Sequence, residues 1–208
     1  KRRALNRVCL ALANSLVLAA TAGAAQPTVQ QMLELKPTQR FVDYDSPAAG
    51  LIPTLKAELV NEGKSKVWVL REVSGRIYRR FIDSNNDGVV DQWVYFRGGV
   101  EVYRDIDTNS NGRADQFRWV NSGGTRWAVD GNEDGRIDAY RILSPEEATR
   151  EVIRAVMLKD FAVLEPTLAK PVDVAPFGKT VALDRVKELN STAREQFTAL
   201  AAKLSHLT

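Results

Sequence analysis

The chain has 208 residues, an apolar fraction of 44% and a net charge of +3, enough for one domain, or two small ones, with a buried core. Four cations, Lys1, Arg2, Arg3 and Arg7, sit in an N-terminal stretch without Asp or Glu. The remainder is close to neutral, which argues against a basic nucleic-acid-binding surface. Cys9 is the only cysteine and His206, near the chain end, the only histidine. That leaves the body of the chain no disulfide framework, no thiolate zinc site and no histidine-based catalytic constellation.

Residues 1–25 read as a secretory signal peptide: a basic start, an apolar run from Val8 to Ala20, then the small residues Ala22-Gly23-Ala24-Ala25. The run is short for a membrane-spanning helix, which needs about 20 residues. The expected location is extracytoplasmic, secreted or periplasmic, with no membrane association after cleavage. Residues 26–54 are mixed, with a short helix expected over Thr28–Leu35 and breaks at Pro37 and Pro47. Residues 55–143 turn β, with short runs of Val, Ile, Tyr, Trp and Phe bounded by Gly and Asx turns. Residues 144–208 turn helical. Ser144-Pro145-Glu146-Glu147 is a helix start, with Ser at the N-cap, Pro at the first position and Glu three residues after the Ser. Further helices are expected over about Thr180–Leu189 and Thr192–Leu204. The chain starts without Met and stops just after a helical pattern, so a longer protein with a further C-terminal domain is expected.

The β region repeats. Loops run over Asp83–Asp91, Asp107–Asp115 and Asp130–Asp138, and the first Asp recurs after 24 and then 23 residues. The strands that follow align as Asp91-Gln92-Trp93, Asp115-Gln116-Phe117 and Asp138-Ala139-Tyr140. An upstream copy, Val67-Trp68-Val69-Leu70, follows a degenerate loop at Asn61-Glu62-Gly63. Glycine turns at Ser74-Gly75, Gly98-Gly99 and Ser122-Gly123-Gly124 lie between the Asp loops. The expected fold is α+β: an antiparallel meander of hairpins joined by calcium loops, followed by a small helical C-terminal region. All Asp loops then fall at one end, neighbouring loops two strands or about 10 Å apart. Trp68, Trp93, Phe117 and Tyr140 share one phase, and Tyr95 and Trp119 join their face. That face is expected to be core; a glycan-stacking surface is the alternative.

Calcium takes six to eight hard oxygen ligands. Each loop offers oxygen side chains at positions 1, 3, 5 and 9, a carbonyl at position 7 and Gly at position 6 for the bend. The first loop supplies Asp83, Asn85, Asp87, the Val89 carbonyl and Asp91. The second supplies Asp107, Asn109, Asn111, the Arg113 carbonyl and Asp115. The third supplies Asp130, Asn132, Asp134, the Arg136 carbonyl and Asp138. Up to three Ca2+ ions are expected. The loop at Asp107–Asp115 should be the weakest, since Asn111 stands where the others have Asp. Over Asn61–Leu143 there are 13 acidic and 13 basic residues, so the arginines there, including Arg79, Arg80, Arg104 and Arg126, are expected to be solvated strand-face partners for Asp and Glu; an anionic polysaccharide site is the alternative.

Through positions 1 to 9 these loops resemble the EF-hand calcium loop. They depart at position 12, where Val94, Arg118 and Arg141 replace the bidentate Glu, and their flanks are strands. The closer likeness is the strand–loop–strand calcium site of integrin-type propeller repeats. The tandem hairpins followed by the Ser144–Ala148 helix start resemble the N-terminal part of a group of bacterial exported proteins, over roughly residues 60–160. Some of those carry a thioredoxin-like (redoxin) domain further along; this chain has no Cys-x-x-Cys. The expected function is a non-catalytic, calcium-binding structural or interaction module with a protein or cell-surface glycan partner and no nucleic acid. The alternative is the accessory region of an extracytoplasmic redoxin enzyme whose catalytic domain follows residue 208.

Overall fold

The computed structural model describes residues 26–120, 123–168, 170 and 180–204. The expected signal peptide, Cys9 and His206 lie outside these residues, as does Ser122 of the third glycine turn. Eight strands form one antiparallel sheet in strictly sequential order. They are β1 (Lys56–Glu62), β2 (Ser65–Arg71), β3 (Ile77–Asp83), β4 (Gln92–Arg97), β5 (Val100–Ile106), β6 (Gln116–Trp119), β7 (Arg126–Val129) and β8 (Ala139–Leu143). The expected meander is therefore the architecture.

Turn chemistry sets the alternation. Gly98 and Gly99 both have positive φ and close β4 onto β5 in two residues, with Arg97 opposite Val100. The Asp loops close the opposite end. The degenerate upstream loop differs from expectation: Asn61 and Glu62 belong to β1, and only Gly63 and Lys64 separate it from β2. Without aspartates to hold nine residues open, the connection shrinks to a two-residue hairpin around Gly63, whose φ is +63°.

The register puts Trp68, Phe81, Trp93, Asp105, Phe117, Ala128 and Tyr140 in one row across β2–β8. A second row on the same face holds Leu70, Arg79, Tyr95, Tyr103, Trp119 and Arg126. Trp68, Tyr95, Phe117 and Trp119 are buried, so these aromatics form the core face and are not open for stacking on a glycan.

Residues 26–54 cover this face. Helix α1 (Val29–Glu34) is closed by a capping box: Thr28 Oγ1 accepts from the Gln31 N–H, and Gln31 accepts from the Thr28 N–H. It buries Met32 among Leu55, Trp68, Leu70, Tyr78 and Phe81. Farther along, Tyr44 meets the Tyr95 ring edge-on at 5.3 Å, and the Asp45 N–H donates to the Phe96 carbonyl.

Arg79 and Arg126, expected to be solvated, are instead buried in the second aromatic row. Arg79 lies 4.5 Å from the Tyr44 ring and 5.0 Å from that of Tyr95, and donates to the Asp45 carbonyl. Arg126 lies 3.5 Å from the Trp119 ring and pairs with Glu147 and Glu151. Both acids belong to α2 (Pro145–Leu158), which starts at the expected Ser144 N-cap. The buried ionic cluster therefore clamps α2 to the sheet. Gly124 lets the two elements meet, because a Cβ there would collide with the Ser144 hydroxyl and touch Glu147.

Beyond α2 come α3 (Phe161–Leu164), a 3-10 turn (Glu165–Thr167) and α4 (Thr180–Lys203). Ala155, Phe161, Phe197 and Ala201 form their small core. The two expected segments after residue 180 are one helix. Ser191 and Thr192 do not break it; their hydroxyls donate back to the Glu188 carbonyl. No helix among the described residues is long and apolar enough to cross a membrane.

Asp105 is the one acid in the first aromatic row. It is 2% exposed and accepts from the Tyr103 hydroxyl (2.5 Å) and the Thr38 N–H (3.1 Å). Burial raises its pKa from 3.8 to about 7, against the pull of those hydrogen bonds.

Two outcomes follow. Arg126→Leu strands buried carboxylates and lowers unfolding free energy by about 3–5 kcal/mol in urea titrations; an unchanged midpoint refutes the clamp. Folded Asp105 holds its proton more tightly than the unfolded chain does. Its contribution to stability is thus complete below about pH 4 and is lost as pH rises to about 7. Asp105→Asn keeps partners for Tyr103 and Thr38 and removes this loss, so it gains stability over the parent at pH 8 relative to pH 5, measured in chelator. Parallel pH profiles for the two proteins contradict it.

Candidate metal centre

The three Asp loops share one conformation. The position-1 aspartate is the last residue of β3 in the first loop and directly follows β5 and β7 in the others, and it is buried: Asp83 is 0%, Asp107 3% and Asp130 1% exposed. Its carboxylate receives two backbone N–H groups across the loop, and that of Asp107 a third from Asn109 (3.2 Å). Asp83 accepts from Asp87 (3.1 Å) and Gly88 (3.0 Å). Asp107 accepts from Asn111 (3.3 Å) and Gly112 (2.7 Å). Asp130 accepts from Asp134 (3.2 Å) and Gly135 (2.8 Å).

The other positions repeat as well. The position-3 oxygens of Asn85, Asn109 and Asn132 accept from the same position-5 N–H groups. The side chains of Asp87, Asn111 and Asp134 accept from the N–H groups of Val89, Arg113 and Arg136. Position 4 is left-handed in every loop: Asn86, Ser110 and Glu133 have φ of 62°, 57° and 57°. Gly88, Gly112 and Gly135 follow with φ of 91°, 84° and 86°. The glycine expected at the bend is thus required by the backbone.

Position 9 returns the chain to the sheet. Asp91 accepts from the Ser84 N–H and hydroxyl, Asp115 from those of Thr108, and Asp138 from the Gly131 N–H. Position 8 anchors each loop, with Val90, Ala114 and Ile137 packed against the core. Sequence reasoning passed over these residues, although an apolar residue between position 7 and the closing Asp recurs in all three loops. Main-chain bonds join neighbours: the Asp107 N–H donates to the Asp91 carbonyl and the Asp130 N–H to that of Asp115, at 2.8 and 2.9 Å.

A second missed residue links two loops. Glu133, at position 4 of the third loop, accepts from the side-chain amides of Asn109 (2.8 Å) and Asn111 (2.6 Å) in the second. Those hydrogen bonds hold its pKa below the ordinary value. No sequence period signals this, because the equivalent residues are Asn86 and Ser110.

Burial raises the pKa of Asp91, more than Ser84 lowers it, and the charges of Asp83 and Asp87 raise it further. Asp130 behaves alike, with burial first and the charges of Asp134 and Asp138 adding. The donor set, Asp, Asn and backbone carbonyl, suits a hard cation in kind. The carboxylates are spent on backbone N–H groups, however. Among the described residues no three His, Cys, Asp or Glu side chains gather closely enough to hold a metal ion.

No family model matches the chain, and no curated protein matches it. Among solved structures it is similar to a chain in the crystal structure of accessory secretory protein 1, 2 and 3 in Streptococcus pneumoniae. That likeness has 16% identity and a TM-score of 0.24, and covers 49% of this chain and 24% of the other. The chain spans about a quarter of the length of that neighbour, and so slight a likeness says nothing of what either end of this sheet binds.

Proposed function

We propose that this chain is a calcium-binding, non-catalytic structural module of an exported protein. One observation carries the reading: the three repeated loops share one hydrogen-bonding pattern and one pair of left-handed positions, although positions 2, 4, 7 and 8 differ among them. Asp83, Asn85, Asp87, Val89 and Asp91 would hold the first ion. Asp107, Asn109, Asn111, Arg113 and Asp115 would hold the second, and Asp130, Asn132, Asp134, Arg136 and Asp138 the third. Val89, Arg113 and Arg136 contribute only carbonyls. Calcium supplies positive charge that offsets repulsion among the clustered carboxylates.

The protein's own residues do the rest. The position-1 aspartates hold each loop closed, and the position-8 residues fix it to the core. Binding to the folded chain alone stabilises it by mass action, by about 2.7 kcal/mol per site at a hundredfold excess over Kd. The second loop owns two carboxylates, and Glu133 brings a third acid beside it from the third loop. The charge deficit expected for that site is therefore smaller than its own residues imply.

Calorimetric titration of the chain with calcium gives Kd values of about 10⁻⁴–10⁻³ M and a rise in melting temperature. No heat at millimolar calcium, together with an unmoved melting temperature, rules the reading out. Asp87→Ala removes about one ion from the stoichiometry. Glu133→Gln weakens the second site several-fold and spares the first, by loss of one nearby ligand-sphere charge. Three unaltered steps in that variant would show that Glu133 has no part in binding.

A further inference from the structure

The face of the sheet opposite the aromatic core carries unbalanced charge at its β6–β8 end. One cross-strand row there runs Arg80, Val94, Arg104, Arg118, Trp127 and Ile142. Arg80 pairs with Glu62. Arg104 is held by Glu101 and also donates to Gln92. Arg118 sits directly opposite Arg104, an arrangement that costs free energy when nothing offsets it. Among the described residues neither Arg118 nor Arg141 has a carboxylate at ion-pair distance. Arg118 also has a buried Nε with no hydrogen-bond partner.

Trp127 holds these two cations in place. The Arg118 guanidinium lies 4.7 Å and that of Arg141 5.3 Å from its ring centre. The indole is pinned in turn by its N–H, which donates to Gln116 at 2.9 Å. Arg141 is the extra residue at the bulge where Trp127 faces Ile142 and Ala128 faces Tyr140. Ile142 beside it is 45% exposed. Position 12 of the second and third loops, which an EF-hand gives to a liganding Glu, thus places Arg118 and Arg141 on this face instead.

We infer that Arg118, Trp127 and Arg141 form a docking surface for a carboxylated polysaccharide. Two preorganised guanidinium forks match carboxylates, and the indole edge and Ile142 offer apolar surface to a sugar ring. An acidic peptide gains less here. Arg118 and Trp127 lie on β6 and β7, whose backbone groups are paired in the ladder on both sides, so strand addition at the edge strand β8 does not reach them. Nucleic acid gains less too, since two uncompensated cations neutralise few phosphates.

The test is calorimetry of the whole chain with polygalacturonate at low salt in the presence of a chelator, which separates it from the calcium reading. The parent binds, and added salt weakens binding. Arg118→Gln/Arg141→Gln lowers affinity about tenfold or more, as loss of two charge-assisted contacts requires. Lys56→Gln/Lys64→Gln, with the same charge change elsewhere, stays within about twofold of the parent. Thermal melts show whether each variant is folded. The proposal is overturned if the parent ignores the polymer, or if both double variants lose affinity alike. Tighter binding of polyglutamate or duplex DNA than of polygalacturonate also overturns it. Calcium-dependent binding without binding in chelator moves the contact to the Asp loops and refutes this surface.

Discussion

A buried aspartate carboxylate that receives two backbone N–H groups is the interaction on which this structure rests. Asp83, Asp107 and Asp130 each close a nine-residue loop by this means. Buried carboxylates are costly unless hydrogen-bonded, and the loop backbone would otherwise leave its own N–H groups without partners. Each satisfies the other. The upstream connection lacks such an aspartate and shrinks to two residues. At this end of the sheet, the long loops go with that carboxylate and the two-residue hairpin with its absence.

The sheet these loops join is polar in unusual places. Arg79, Arg126 and Asp105 all lie on its core face, each nearly inaccessible. The arginines are accommodated by aromatic faces and by carbonyl or carboxylate partners, since a guanidinium is weakly hydrated and stacks well. Burial still lowers the pKa of Arg126, to about 10. Their effect is positional: Arg79 ties the N-terminal segment to the sheet, and Arg126 ties α2 to it. Both covering layers are thus attached through one row of residues that runs from Leu70 to Arg126.

Calcium chemistry, if the loops carry it, works on a backbone already closed. The position-1 carboxylates accept hydrogen bonds, and Glu133 ties the second loop to the third. Strands flank every loop, so an ion there would brace the end of a sheet rather than turn one helix against another. A bracing role also fits the ladder bonds between Asp91 and Asp107 and between Asp115 and Asp130.

Much of this was legible in the sequence, because periodicity and turn chemistry are local. The 24- and 23-residue repeat, the glycine turns and the alternating aromatics fix a meander with all Asp loops at one end. The same alternation assigns Trp68, Tyr95, Phe117 and Trp119 to one buried face, and the Ser144 cap places α2. Tertiary structure decided what depends on residues far apart in the chain. It put Asp105 and two arginines into the aromatic face, where their polarity would have argued for solvent, since partners such as Thr38, Asp45 and Glu151 lie on other elements. It brought Glu133 to Asn109 and Asn111, 22 or more residues away. Among the described residues it also left Arg118 and Arg141 around Trp127 without an acid at ion-pair distance, although acids and bases balance along the same stretch. Charge balance is a property of composition, whereas pairing is a property of distance, and only the folded sheet sets distances.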